Sequence, residues 1–222
     1  MVRRMTQKFL LFALPLSLAL ASTPALAEMY VAGQVGVSMP KSLQNIQGTD
    51  SFSGVSFSDL SLQDSFIYGA KLGYYFDSMK WLGLETEVFN STPHVKSQTV
   101  TAKGPGGSLT DTIDGIHQRV LNWSPVIIVV RHQMGQFEPY AGIGMGVFFS
   151  NLTTGGESSS STAVGITTQL GLRYLVTQNV SIFGEWKYNQ AKFNYSETQN
   201  NIPGVKADYI ANILAFGVGY HF

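Results

Sequence analysis

The sequence predicts an all-β chain, an eight-stranded antiparallel up-and-down transmembrane β-barrel. Three observations predict it. Short segments alternate large apolar residues with small or charged ones, the period of a strand. The connectors between them are alternately short and long. The charges inside the segments share a face with Gly and Ala, leaving the opposite face greasy. Only 13% of the 222 residues are charged, well under the roughly 25% usual for a soluble domain, so much of the surface is expected to face something other than water.

The chain opens with Arg3, Arg4 and Lys8, then "FLLFALPLSLALA", then small residues at Ala25 and Ala27. A basic head, a short apolar middle and small residues at −3 and −1 make a secretory signal peptide over residues 1–27, cleaved after Ala27. The barrel is then expected over residues 28–222. Losing the leader removes three of the 14 basic residues and none of the 14 acidic ones, so the mature chain has a formal charge of −3. That leaves no basic patch for nucleic acid. With no Cys anywhere, disulfides, zinc–thiolate sites, a Cys nucleophile and a Cys-linked lipid anchor are excluded. No apolar run after the leader is long enough for a spanning helix.

From Glu28 onward the segments read in order. "MYVAGQVGVS" sets Val31, Val35 and Val37 against Tyr30, Ala32 and Gln34. "SFIYGAKLGYYF" sets Phe66, Tyr68, Leu72 and Tyr74 against Gly69, Lys71 and Gly73. "WLGLETEVF" opposes Leu82, Leu84 and Val88 to Glu85, Glu87 and Phe89. The fourth, "RVLNWSPVIIVV", is apolar on both faces and shows no readable phase. It also contains Pro125, which cannot donate to a ladder, so a bulge or displaced strand end is expected there. "YAGIGMGVFF" opposes Ile143, Met145 and Val147 to a row of glycines, and lacks the spacing and following helix of a nucleotide loop. "VGITTQLGLRYLV" opposes Leu170 and Leu172 to Gln169 and Arg173. "VSIFGEWKY" opposes Ile182 and Trp186 to Glu185 and Lys187. The eighth, "NILAFGVGYHF", carries Leu214, Phe216, Val218, Tyr220 and Phe222 at alternate positions, with small residues between.

Connectors after the second, fourth and sixth segments are short: "DSMK", "HQMGQFE" and "TQN". Those after the first, third, fifth and seventh are long and polar. Short turns on one side and long loops on the other are the organisation of bacterial membrane barrels, and an even strand number puts both termini on the turn side. A closed barrel also leaves no unpaired edge in lipid. Tyr74, Phe76, Trp81, Tyr174 and Tyr220, near strand ends, fit an interfacial girdle.

These features resemble the small outer-membrane β-barrel proteins of Gram-negative bacteria, of the opacity and outer-membrane-protein-A transmembrane-domain kind, a porin-like family. The resemblance runs over residues 28–222 and is most specific in the terminal Phe222 with its alternating apolar residues; "EPYAGIGMG" and "QLGLRY" are similar to the family's fifth and sixth strands. It implies outer-membrane lipid and lipopolysaccharide as surroundings. It also implies that Leu214, Phe216, Val218, Tyr220 and Phe222 are read by the barrel-assembly machinery. Unlike in the family's longer members, no peptidoglycan-binding domain is expected after the barrel.

Six charges are expected inside: Lys71, Glu85, Glu87, Arg173, Glu185 and Lys187. At about 3.3 Å per residue, less the tilt, they fall within roughly 10 Å of height. Side chains can meet across so narrow a barrel. Two readings stand open: a neutral, mutually paired plug, or a polar conduit whose pairs rearrange. Catalysis is not expected. His94 and His117 lie in loops, His132 beside a turn and His221 at the terminus, and none has a Ser two residues on, the spacing of resembling deacylases. Asp111 and Asp114 are at most weak cation ligands, and no cofactor or metal is expected. The loops "GTDSFSGVSFSDLSLQD", "VKSQTVTAKGPGGSLTDTIDG", "TTGGESSSST" and "NYSETQNNIPG" are rich in Ser, Thr, Gly and Asn, with few apolar anchors. They serve either contact with a surface ligand or plain solvation. The expected function is a structural or surface-interaction scaffold of adhesion or opacity type with a narrow or plugged lumen. A small-solute or ion channel is the alternative, ahead of a lipid-modifying enzyme.

Overall fold

A computed structural model describes residues 28–197 and 204–222. The expected leader, with Ala25 and Ala27, and part of the last loop lie outside the described residues. Among the described residues twelve strands form in chain order: β1 (Glu28–Pro40), β2 (Gln44–Gly48), β3 (Ser56–Phe57), β4 (Ser65–Phe76), β5 (Met79–Ser91), β6 (Gln98–Gly104), β7 (Gly107–Ile113), β8 (His117–Arg131), β9 (Phe137–Thr154), β10 (Glu157–Leu175), β11 (Val180–Tyr195) and β12 (Val205–His221). Eight of them, β1-β4-β5-β8-β9-β10-β11-β12, pair antiparallel in that order, and β12 closes on β1 from Tyr30↔His221 to Pro40↔Ala211. The eight-stranded barrel expected from the alternation is therefore closed, with short turns at one end (the turn end) and longer segments at the other (the loop end).

The period of two sorts every barrel strand into an outer apolar row and an inner row. In β12, Leu214, Phe216, Val218 and Tyr220 stand outward and exposed, while Ile213, Ala215 and His221 are buried within. Near the turn end the outward aromatics pack as Tyr74–Phe76, Phe137–Tyr174 and Tyr220–Phe222 pairs, with ring centroids 5.0–5.4 Å apart. Phe222 donates its N–H to the Met29 carbonyl at 2.9 Å, which ties the chain's last residue to its first strand.

β8 explains the segment whose phase was unreadable. Its register slips by one residue against β9 between Trp123 and Val126, and against β5 between Glu85 and Glu87. This is a bulge at Ser124–Pro125. A bulge inserts one residue into one strand, so Pro125 meets no ladder partner and loses no bond by lacking an N–H. The inner row consequently changes parity, from Gln118, Val120, Asn122 and Ser124 to Ile127, Val129 and Arg131.

The loop end departs from the sequence expectation twice. "TTGGESSSST" is no loop: β9 and β10 run on to Thr154 and Glu157, joined by the two-residue turn Gly155–Gly156. Both glycines have positive φ (56° and 83°), as a type I′ hairpin turn demands. The two longest loops are also built. β2, β3, β6 and β7 extend the sheet from the top of β12, and the bridges Leu43↔Leu60 and Leu62↔Val95 stitch them together.

Candidate functional site

Inside the barrel the side chains stack in layers, because each strand contributes every second residue at matched register. Nearest the turn end, Arg131 forks onto Glu28, with Nη1 2.8 Å from Oε1 and Nη2 on Oε2. Arg131 and Arg173 share Glu138, each at 3.3 Å. The guanidinium of Arg131 lies 3.6 Å from the Tyr75 ring centre and that of Arg173 lies 4.4 Å from the Tyr30 ring centre, which suits a planar cation. His221 completes this layer: Nδ1 is 2.8 Å from Glu28 and Nε2 is 2.9 Å from the Ser181 hydroxyl.

One layer up, Lys71 lies 3.1 Å from Glu85 and 2.6 Å from Glu185. Lys187 pairs with Glu185 at 2.8 Å and with Glu87. The carboxylates are further held by neutral donors. Tyr30 donates its hydroxyl to Glu85, Tyr140 to Glu185 at 2.7 Å, Gln34 its amide to Glu87 at 2.6 Å and Gln169 to Glu85 at 3.0 Å. All five charged groups of this layer are essentially free of solvent. The glycines opposite make room for rings rather than for charges alone. A Cβ at Gly73 would collide with the Tyr30 ring and one at Gly171 with the Tyr140 ring. Those two rings are what deliver the hydroxyls.

The structure thus gathers Lys71, Glu85, Glu87, Glu185 and Lys187, but not Arg173. The six charges expected inside are divided between two layers. Arg173 sits a layer lower on Glu138, and the five-membered layer holds two lysines against three carboxylates. The lower layer of Glu28, Arg131, Glu138 and His221 leaves little trace in the sequence. The Pro125 bulge hides which face Arg131 occupies, and Glu138 stands where the "HQMGQFE" connector meets the "EPYAGIGMG" strand, so parity gives it no face. In the structure Glu138 lies directly across from Arg173 in the register.

Glu28, His221 and Ser181 stand in the order carboxylate, imidazole, hydroxyl. No Ser follows a His at two residues in the sequence; Ser181 arrives instead from the neighbouring strand, opposite Gly219. A nucleophile needs a substrate carbonyl within reach. Ser181 is 0% exposed. The trio is a hydrogen-bonded tie among β1, β11 and β12.

Above the charges comes a neutral polar layer, in which the Ser124 hydroxyl lies 3.1 Å from both the Thr167 hydroxyl and the Asn122 amide oxygen. Toward the loop end the lumen turns apolar. Val120, Phe148, Phe193, Tyr195 and Tyr209 form one buried cluster, in which the Phe193 and Tyr209 rings are 5.5 Å apart. Leu43, Ile46, Leu62 and Val95 from the loop segments and Leu152 from β9 belong to the same cluster. The loops therefore carry more apolar anchors than their composition suggested. Against the loop side of this cluster lies a cavity of ≈ 200 Å³, lined by Leu43, Ile46, Phe57, Leu60, Val95, Val100, Ile113, Ile116, Leu152, Val205 and, as its one polar side chain, Thr154.

His94 and His117 meet beside this cup with ring centroids 4.6 Å apart, edge to face. Partial burial, and then the neighbouring His117, hold the His94 pKa below the ordinary imidazole value. His132 lies at the turn end, its N–H donated to the Pro139 carbonyl at 3.0 Å. Asp111 lies on β7, where its Oδ1 accepts the Thr112 N–H at 2.8 Å; Asp114 lies exposed just past that strand.

A closed antiparallel barrel, apolar outside and charged within, defines a membrane-spanning β-barrel. The sequence matches the family described as outer membrane protein beta-barrel domain over residues 10–222, and the chain belongs to that family. Among solved structures it is similar to Neisserial surface protein A, with 16% identity and a TM-score of 0.55 over 87% of this chain and 97% of that one. It is also similar to the outer membrane protein OprG from Pseudomonas aeruginosa, with 15% identity and a TM-score of 0.57 over 88% and 96%. A third is the outer membrane protein AlkL in lipid bilayers, with 16% identity and a TM-score of 0.53 over 87% and 90%. At these identities the likeness is one of fold. No curated protein matches the chain.

Proposed function

We propose that this chain is exported by its leader, residues 1–27, into a Gram-negative outer membrane, where it is a non-enzymatic surface-interaction barrel whose lumen passes no solute. The observation that carries the reading is the double layer of ion pairs, Arg131–Glu138–Arg173 below and Lys71–Glu185–Lys187 above. Every charge in it has a partner, and the barrel is only wide enough for its own side chains. The turn end, with both termini, faces the periplasm and the built loops face outward, as in other barrels of even strand number. Lipid and lipopolysaccharide surround the outer apolar rows. Leu214, Phe216, Val218, Tyr220 and Phe222 present the alternating surface that the assembly machinery reads. The work of the protein then falls to the loop end.

The alternative, a small-solute channel, draws its support from the neutral polar layer around Asn122, Ser124 and Thr167. Liposome swelling separates the two. Vesicles carrying the refolded mature chain should take up glycine or arabinose no faster than protein-free vesicles. Uptake that scales with protein content would overturn the sealed reading.

A further inference from the structure

We propose that the cavity in the loop cup binds a small uncharged hydrocarbon, benzene-sized or slightly larger, taken from the external medium. The inference rests on the reading that the loop end is the working end of the barrel. It does not require the lumen to be closed to ions.

Four observations point to this class of ligand. The first is size: the cavity holds ≈ 200 Å³. An apolar cavity of about 150 Å³ is already enough to stay dry and take up benzene. The second is chemistry. Apart from Thr154 every lining side chain is apolar, and Leu43, Ile46, Val95 and Leu152 of the lining belong to the same buried cluster as Phe148, Phe193 and Tyr209. A polar solute would lose its water there and gain almost no hydrogen bonds in return, which disfavours it against a hydrocarbon.

The third is a wall that is already built. Leu43 and Leu60 exchange backbone hydrogen bonds of 2.8 and 3.0 Å, and Val95 donates to Ile116 at 3.1 Å. These bonds fix four of the lining positions without a ligand, so little ordering remains to be done on binding. Polar loops have no need of such a construction for solvation alone.

The fourth is height. Beyond Phe149 the outward row of β9 reads Asn151 and Thr153, and that of β10 opposite reads Ser158, Ser160 and Thr162. Leu152, which lines the cavity, lies at the level of these polar residues and so above the apolar belt. A lipid tail in the bilayer would have to leave the hydrocarbon region to reach it, whereas a dissolved molecule arrives directly.

The test uses the mature chain with ¹³C-labelled Ile, Leu and Val methyls in lipid nanodiscs, titrated with benzene. Saturable shifts confined to Leu43, Ile46, Leu60, Val95 and Leu152, and lost in Ile113→Trp, which fills the cavity, are the expected result. Shifts that never saturate, or that fall equally on outward residues such as Ile143 and Leu170, would overturn the proposal. So would cup methyls that differ between nanodiscs and dodecyl-chain micelles before any benzene is added and do not respond to it, because the occupant is then a lipid or detergent tail. If Ile113→Trp does not refold, the wild-type methyl map decides alone. A barrel that conducts yet shows the shifts keeps this inference and loses the sealed lumen; a silent barrel without them does the reverse.

Discussion

Replacing Lys187 with Met destabilises the folded barrel by about 3–5 kcal/mol, read as a lowered midpoint in urea unfolding from lipid vesicles. Lys187 is fully buried and is the direct partner of both Glu87 and Glu185. Without it, three carboxylates face Lys71 alone. Glu87 keeps only a 3.9 Å approach from Lys71 and the amide of Gln34. An unmatched buried charge costs far more than its pair contributed, because desolvation is no longer offset. The diagnostic is the double variant Lys187→Met/Glu87→Gln, which removes one charge of each sign and recovers most of the loss. If the double variant is as unstable as the single, Lys187 acts through packing and the electrostatic account of this layer fails.

Ile143→Arg costs about 2–4 kcal/mol, the penalty for an arginine at mid-bilayer on the outside of a barrel. Ile143 is 59% exposed and stands midway along the outer row of β9, which runs from Phe137 to Phe149. The control is Leu109→Arg on β7. Leu109 is 80% exposed, more than Ile143, yet it lies on the loop strand that joins no barrel ladder. Its replacement shifts stability by no more than about 0.5 kcal/mol, as at an ordinary wet surface. Exposure alone ranks the two variants one way and lipid contact ranks them the other. Equal costs in the same unfolding assay would mean that the outer row of β9 does not sit in lipid.

Much of this architecture was legible because a barrel strand states its two environments residue by residue. The run from Leu214 to Tyr220 needs no tertiary information to assign a greasy face and a slim one, and Lys71, Glu85, Glu87, Glu185 and Lys187 followed from the same parity. Legibility failed where parity failed. The bulge at Pro125 shifts the count by one, so Ile127 and Val129 point inward although Trp123 and Val126 on either side of it point outward. With that phase lost, Arg131 had no assigned face and the lower ion-paired layer went unseen. The loops failed for another reason. Leu43 and Val95 stand among polar neighbours, and the alternation of Leu60 and Leu62 is too short to say what it packs on. Leu43, Leu60 and Val95 become a cavity wall only through the bridges Leu43↔Leu60 and Leu62↔Val95, pairings between segments far apart in the chain. Around Gly155–Gly156, serines and threonines occupy both faces, so strands that run to the hairpin tip read as an open loop.

The most direct test is the conductance of the refolded mature chain in a planar lipid bilayer. The paired layers of Lys71, Glu85, Glu87, Glu185 and Lys187 over Arg131, Glu138 and Arg173 predict silence from the wild type at every applied voltage. Steady, protein-dependent current steps from the wild type would contradict a sealed lumen and make those charges the lining of a path.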